Sequence, residues 1–420
     1  MNRKIALVCF ALFVLPAVAM PGAAAPVLDT KVPPGEVMSE IGRIVRKEFY
    51  DRQGLGAFND AEQGLRRAAA SGEGLSEVSE EWLATLNASH TARLTPDTVD
   101  YYEIADVFAG GLRDELKRLF PPKGEVTYQG IGIATAEMGG KIFVTDVYDG
   151  SAAAAAGLRA GDEILAVDGR PFAPIASFQR KAGRNVEIEV RRKAAGPSIH
   201  LPVEVRTLQP AETFNEAIRR SVRVVDQYGA RIGYMRIWSF ASRGVEDVVM
   251  DLLTSEPLKG VDGLVLDMRG RWGGAPPDAT DLFVGRSPTM VVIDHDGDDE
   301  MLTTSWRKPV VGIIDGGSRS GMEILAHGLK QAGVPLIGTR TAGDVLAGRA
   351  FMLKDYSILE IAVLDVLVDG KRIEGNGVMP NIEVPFDVRY ADGADPQFSR
   401  AVEEMGRLLR EGGGETKKPS

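Results

Sequence analysis

Cysteine is almost absent from this sequence of 420 residues. The single cysteine, Cys9, lies in an apolar N-terminal stretch that we expect to be removed from the working protein. The remaining chain would then contain no thiol. This excludes a disulfide framework, a thiolate nucleophile and a thiolate metal site.

Basic residues are also fewer than acidic ones. There are 49 Lys and Arg against 59 Asp and Glu, which gives a formal net charge of −10. Such a surface argues against binding nucleic acid through its phosphates. With 44% hydrophobic and 26% charged residues, the composition is that of an ordinary globular protein rather than a disordered one.

Long apolar runs are missing as well. The longest run, from Ile5 to Ala19, follows two basic residues, is interrupted by Pro16 and leads into small residues up to Ala25. It is shorter than the roughly 20 residues of a membrane-spanning helix. We therefore predict that residues 1–25 form a cleaved secretory signal, and that the protein is periplasmic or secreted without stable membrane insertion.

The rest of the chain divides by its hydrophobic periodicity. Apolar spacings of three and four predict a helical region at 26–120, and a period of two with Gly and Asp turns predicts a β-rich module at 121–207. Alternating strands and helices at 208–390 indicate an α/β core, and 391–420 reads as an amphipathic helix with a polar tail.

The β-rich module contains the stretch "YQGIGI", followed by "GSAAAAAGLRAGDEILAVDG". These segments resemble a PDZ domain of the bacterial protease-associated type. Gly130 and Gly132 would free backbone N–H groups to bind a peptide carboxylate, and Ile131 and Ile133 would line a slot beside a strand edge. The alternative is a small barrel that only spaces its neighbours.

An acidic cluster runs from Asp294 to Glu300. The cluster does not match the pattern of a calcium-binding loop, because its glycine is misplaced and Ser305 occupies the position of the bidentate acid. A solvated hairpin turn fits better. The sequence indicates no site for a metal or an organic cofactor.

Two glycine-rich turns each follow an apolar strand in the core. In "DGGSRSGMEI", Ser320 falls between a strand and a helix, where free N–H groups could stabilise an oxyanion, although serine is also a common helix cap. In "LDMRGRWGG", Gly270, Gly273 and Gly274 would let backbone amides approach a substrate carbonyl. Together these turns indicate a site at the carboxyl edge of the sheet.

These two stretches, with "LIGTRTAGDVLAG" and "VDGKRIEGNGVMPNIEVPFD", are similar to the successive blocks of the carboxyl-terminal processing peptidase family. The resemblance covers nearly the whole chain after the signal. It implies a ClpP/crotonase-like α/β core with an inserted PDZ domain and an N-terminal helical region. It also implies that Ser320 is the nucleophile and that Ser318 is a turn residue.

One family feature is missing. The better-known branch pairs its serine with a lysine, at a position that falls here on Asp344 or Val345. Neither can act as that base. The sequence is therefore either a non-catalytic member or a member of a second branch, similar to the tricorn core protease, in which histidine and glutamate replace the lysine.

Only four histidines are available for the second case. His200 lies in the β-rich module, His295 in the acidic cluster, and His327 is about 10 Å from Ser320 along the same predicted helix. His90, in "NASHTARLTP", remains as general base, since its ordinary pKa suits proton abstraction near neutrality.

The resemblance adds Ser89, immediately before the histidine, and Glu374 in "RIEGNGVMP" as supporting residues. Gly321, with Gly270 or Gly273, would supply the backbone donors of an oxyanion hole. Polypeptides with free C-termini would be the substrates, and a homo-oligomer is compatible with the sequence. Members of that branch can select basic side chains through an acid after the nucleophile, but here that residue is Gly321.

Two alternatives remain. A non-catalytic member of this fold would bind peptides or lipids, and the missing lysine favours that interpretation. Alternatively, the PDZ domain carries the main function and the α/β core is a scaffold.

Overall fold

The computed structural model describes residues 26, 28, 29, 31–70, 74–242, 244–270, 273–285, 290–293, 299–302 and 305–413. The predicted signal, His295 and the last seven residues lie outside this set. Among the described residues, no helix combines the length and the apolar character needed to cross a membrane.

The N-terminal region is mainly helical, as its periodicity predicts. Its elements are α1 (Pro34–Glu48), α2 (Gly56–Ala70), α3 (Leu75–Ala84), β1 (Ala92–Leu94), α4 (Val99–Val107) and α5 (Arg113–Leu119). The apolar face of α1 is buried, including Val37, Ile41 and Val45, which are fully inaccessible. This face packs with α2 and α3, where the rings of Phe58 and Trp82 stack with centroids 4.3 Å apart.

The β-rich module follows. Its elements are β2 (Tyr128–Gly130), β3 (Ile133–Met138), β4 (Lys141–Val147), α6 (Ala152–Ala155), β5 (Glu163–Val167), β6 (Asn185–Arg191), β7 (Ser198–Glu204) and β8 (Arg206–Leu208). Five strands form an antiparallel sheet in the order β3-β4-β5-β6-β7, and β2 pairs with β8. The strand β3 therefore lies at an edge of the sheet.

The remaining elements form the core. They are α7 (Pro210–Ser221), β9 (Arg223–Gln227), β10 (Ala230–Arg236), α8 (Val245–Thr254), β11 (Gly263–Asp267), α9 (Asp281–Val284), β12 (Met290–Ile293), β13 (Asp299–Leu302), β14 (Val310–Ile314), α10 (Gly321–Gln331), β15 (Leu336–Gly338), β16 (Ala347–Met352), β17 (Ile358–Leu364), β18 (Ile382–Glu383) and α11 (Pro396–Gly413). Short 3₁₀ turns span Leu258–Gly260 and Pro277–Thr280.

Six strands of the core form one sheet in the order β18-β15-β14-β11-β10-β9. All neighbours pair in parallel except β9, which is antiparallel to β10. Every residue of β11 and β14 is buried, because helices cover both faces of the sheet. The predicted α/β class is confirmed, and the turns after β11 and β14 leave the same edge side by side.

A second, smaller sheet joins the N-terminal region to the core. Its order is β1-β17-β16, and β1 pairs antiparallel with β17, so that Ala92 lies opposite Glu360. The three residues of β1 gave no strand signal in the sequence, because they become a strand only through this long-range pairing. This sheet fixes the position of the loop that immediately precedes β1.

Candidate active site

Ser320 occupies the turn between β14 and α10, as predicted. Its backbone has φ 56° and ψ −130°, a conformation that costs energy for any residue except glycine and is often found at functional turns. The side chain does not cap the helix, and no described residue is hydrogen-bonded to its Oγ. The backbone N–H donates to the carbonyl of Asp344 at 2.8 Å, which holds the turn in place.

Ser318 has a purely structural environment. It is fully buried, and its Oγ donates to the carbonyl of Met268 at 2.8 Å and accepts from the N–H of Asp315 at 3.2 Å. These bonds tie the turn after β14 to the end of β11. Ser318 is thus a turn residue that a substrate cannot reach, which leaves the half-buried Ser320.

Ser89, His90 and Glu374 form a hydrogen-bonded chain. Ser89 Oγ lies 3.0 Å from His90 Nδ1 and 2.9 Å from Glu374 Oε2. A hydroxyl has one proton to donate, and an ionised carboxylate can only accept. Ser89 therefore donates to Glu374 and accepts from Nδ1–H of His90. This assigns the tautomer in which His90 Nε2 carries a free lone pair.

Glu374 also organises the surrounding backbone. Its Oε1 accepts from the N–H of Ser89 at 3.0 Å, and its Oε2 accepts from Val345 at 2.7 Å and Leu346 at 3.2 Å. One carboxylate thus joins the loop before β1 to the loop before β16. Val345 is one of the two positions where the better-known branch carries its lysine.

The imidazole of His90 is held mostly out of water. Burial lowers its pKa from the usual value, and Arg319 lowers it further, whereas Asp344 and Glu374 act to raise it. The lowered pKa keeps the ring neutral at physiological pH, as a proton acceptor requires. His90 itself has a φ of 51°, so its loop is strained like the turn of Ser320.

His90 and Ser320 have Asp344 as a common neighbour. Asp344 accepts the N–H of Ser320 through its carbonyl, its carboxylate lies 3.7 Å from the guanidinium of Arg319, and both charges act on His90. No hydrogen bond joins His90 and Ser320 among the described residues. Catalytic hydrogen bonds are often long before a substrate binds.

The other described histidines have different partners. His200 is exposed on β7, 3.1 Å from Glu187, and His327 on α10 is 3.0 Å from Asp369. Of the histidines that the structure describes, only His90 lies beside the turn of Ser320.

Of the predicted oxyanion glycines, Gly273 and Gly321 lie against the serine. A Cβ on Gly273 would collide with the N–H of Gly321 and lie 2.6 Å from Ser320 Cβ, so only glycine fits. No described acceptor takes the N–H of Gly273 or Gly321. Gly270 lies earlier in the turn, against the carbonyls of Ile237 and Trp238, and lines a cavity of about 770 Å³.

Glu323 was missed by the sequence prediction. It is fully buried on α10, and its carboxylate accepts from Thr341 Oγ1 at 2.5 Å, Gly343 N at 2.8 Å and Asp344 N at 2.7 Å. It therefore positions the loop that holds Ser320. The signal was the Ser-x-x-Glu spacing from Ser320, which ordinarily predicts a capping box within one helix.

The residues predicted to bind a C-terminus line a second cavity of about 210 Å³. No described residue accepts from the N–H groups of Ile131 or Gly132, while Gly130 and Ile133 flank them in β2 and at the start of β3. Gly132 has a φ of 80°, which glycine adopts without strain. Side chains of the module and of the start of α4 complete the lining: Thr98, Val99, Asp100, Phe172, Pro174 and Phe178.

Two parts of the chain match known protein families. Residues 231–384 match the model of peptidase family S41, and residues 143–192 match a PDZ domain model. The carboxy-terminal processing protease CtpA of Bacillus subtilis (strain 168) is 26% identical over 294 residues, which cover 66% of this chain and 60% of that protein. The carboxyl-terminal-processing protease of Synechocystis sp. (strain PCC 6803) is 24% identical over 389 residues, covering 86% and 84%.

Among solved structures, the tricorn protease is similar in fold, with a TM-score of 0.54 and 19% identity. The match covers 90% of this chain and 37% of that one. The resemblance predicted from the sequence is confirmed: residues 231–384 match peptidase family S41 and residues 143–192 match the PDZ domain.

Proposed function

We propose that this protein is an exported serine endopeptidase in which Ser320 is the nucleophile and His90 the general base. The observation that carries the proposal is the hydrogen-bonded chain from Glu374 through Ser89 to His90 Nδ1. In the Ser-His-Asp triad a carboxylate holds the histidine in one tautomer and stabilises the imidazolium that forms. Here the hydroxyl of Ser89 lies between the carboxylate and the imidazole and is hydrogen-bonded to both.

The chemistry follows from these positions. His90 Nε2 takes the proton from Ser320 Oγ as that oxygen attacks the peptide carbonyl, and later donates it to the leaving amine. The N–H groups of Gly273 and Gly321 stabilise the negative charge on the carbonyl oxygen. Water then hydrolyses the acyl-enzyme and restores the serine.

The PDZ domain selects the substrate in this proposal. The free N–H groups of Ile131 and Gly132 bind the C-terminal carboxylate of a polypeptide, and the peptide extends along the edge strand β3. Export rests on residues 1–25, whose basic start, apolar run and small residues have the form of a secretory signal.

The test is hydrolysis of unfolded casein by the purified protein, with a fluorophosphonate probe to report on the reactive serine. We expect Ser320→Ala to abolish both turnover and labelling, and His90→Ala to reduce both by at least about 100-fold, the usual size of a general-base contribution. His200→Ala is the matched control, because this histidine is exposed on β7. Peptide binding without turnover or labelling in the wild type would instead establish the non-catalytic alternative.

A further inference from the structure

Glu360 is a buried acid that has no hydrogen-bond partner among the described residues. It is the one charged residue in the strand "ILEIAVL", and its exposed fraction is 6%. Among the described residues, no hydrogen bond or ion pair involves its carboxyl group. Its carboxyl oxygens still contact solvent. In the described part of the chain, the polar atoms that have neither solvent contact nor a hydrogen-bond partner belong to other residues. A carboxyl group in this position is costly unless something supplies a donor.

The carboxyl group of Glu360 lies beside His90. The pairing of β1 with β17 places Glu360 opposite Ala92, two residues after the histidine. A Cβ on Gly348 would lie 2.9 Å from Glu360 Oε1, 3.1 Å from His90 Cβ and 3.2 Å from His90 Cδ2. The two side chains thus meet over the backbone of Gly348, where a larger residue would push them apart.

The surrounding charges are mainly negative. Those that act on Glu360 are Arg319 from the nucleophile turn, Asp100 from the first turn of α4, and Asp344 from the loop that holds Ser320. Burial raises the pKa of Glu360 to about 7, and the two aspartates add to this effect against Arg319. Asp100 and Arg319 also line the cavity of about 770 Å³, together with Gly270 from the turn after β11 and Gly317 from the turn after β14.

We propose that Glu360 binds the side chain of a lysine or arginine adjacent to the scissile bond of the substrate. This inference rests on the proposed peptidase function. A cationic side chain supplies the N–H donors that the carboxyl group lacks and offsets the excess of negative charge. An apolar side chain would leave the carboxyl group unpaired, and an acidic one would be repelled by it.

The first test is unbiased. A library of unstructured peptides is digested with wild type and with Glu360→Gln, and the residues on both sides of each cut are read by mass spectrometry. We expect Lys and Arg to be enriched at one of these two positions for wild type and not for Glu360→Gln. Absence of enrichment in wild type, or equal enrichment in Glu360→Gln, overturns the inference.

The second test uses two matched peptides, one with Lys and one with norleucine at the enriched position. We expect the Lys:norleucine ratio of kcat/KM to fall about 10- to 100-fold in Glu360→Gln, as for loss of a hydrogen bond to a charged group. In wild type this ratio should rise from pH 6 to pH 8, as Glu360 becomes a carboxylate. The titration of His90 cancels in the ratio because both peptides use the same base.

Controls separate this inference from the proposed function. Glu360→Gln should keep the thermal stability of wild type, because it removes an acid that has no hydrogen-bond partner among the described residues, and its effect is read from the Lys:norleucine ratio rather than from absolute activity. Glu360→Met, similar in length, should behave in the same way, and the exposed Glu383→Gln should match wild type. If wild type cleaves nothing, the proposed function fails; if it cleaves without regard to Lys or Arg, only the role of Glu360 fails.

Discussion

Replacing Ser89 by alanine removes the link between the imidazole and its carboxylate while leaving both in place. The hydroxyl makes two bonds, at 3.0 Å to His90 Nδ1 and at 2.9 Å to Glu374 Oε2. The backbone N–H of Ser89 still donates to Glu374 in the variant, as do those of Val345 and Leu346. The fold around the site should therefore persist, and the substitution should change the rate of catalysis.

The expected loss follows from the charge that develops on His90. A hydrogen bond to a charged group contributes about 1.5–3 kcal/mol, and each 1.36 kcal/mol of barrier is tenfold in rate. Ser89→Ala should thus lower kcat by about 10- to 100-fold. KM should stay close to that of wild type, because the hydroxyl is directed to the imidazole and the carboxylate rather than to bound peptide.

The pH profile gives a second readout. His90 acts as a base only when neutral, so kcat/KM falls on the acid side as the imidazole becomes protonated. In wild type, burial lowers the pKa of His90 and Glu374 acts to raise it. The bond from Nδ1–H to Ser89 Oγ is stronger when the ring is charged, so it also favours the protonated form. Without the hydroxyl the pKa of His90 falls further, so the acid limb of kcat/KM moves to lower pH.

The assay is steady-state hydrolysis of a quenched fluorescent peptide between pH 5 and pH 9. Thr91→Ala is the control, since its hydroxyl lies in the same loop but donates only to the carbonyl of Ser89, at 3.1 Å. It should stay within about threefold of wild type, as is usual for a change away from the key contacts. A folded Ser89→Ala protein with wild-type kcat and an unmoved acid limb would refute the relay.

Two further substitutions test the oxyanion hole and the PDZ groove. Gly273→Ala would force a methyl group against Ser320 Cβ and should lower kcat by about 100- to 1,000-fold, as loss of an oxyanion donor does. Gly316→Ala, whose Cβ meets no atom within 4 Å, should retain activity, and equal rates for the two variants would argue against this site. Gly132→Ala would place its Cβ 2.5 Å from Ser151 Cβ at a φ of 80°. Binding of a peptide with a free C-terminus, measured by fluorescence polarisation, should weaken at least about tenfold, whereas an amidated peptide should bind weakly to both proteins.

The sequence determined those parts of the protein that depend on neighbouring residues. The apolar strand, the glycines and the helix around Ser320 are local, so the position of the Ser320 turn could be predicted. The same holds for the loop from Gly130 to Ile133, where glycine spacing and a following strand predict a peptide-binding edge. His90 was found by elimination among four histidines together with a family resemblance.

Only the tertiary structure decided which side chains meet. Ser89 and Glu374 are separated by 285 residues, and their bond depends on two loops that converge in space. Glu360 reaches His90 because β1 pairs with β17 in one register, and a shift by a single residue would turn its side chain to the other face of the sheet. Glu323 has the Ser-x-x-Glu spacing of a capping box, but its carboxylate positions a loop instead. Such contacts depend on long-range packing, so they cannot be predicted from the residues adjacent to them in the sequence.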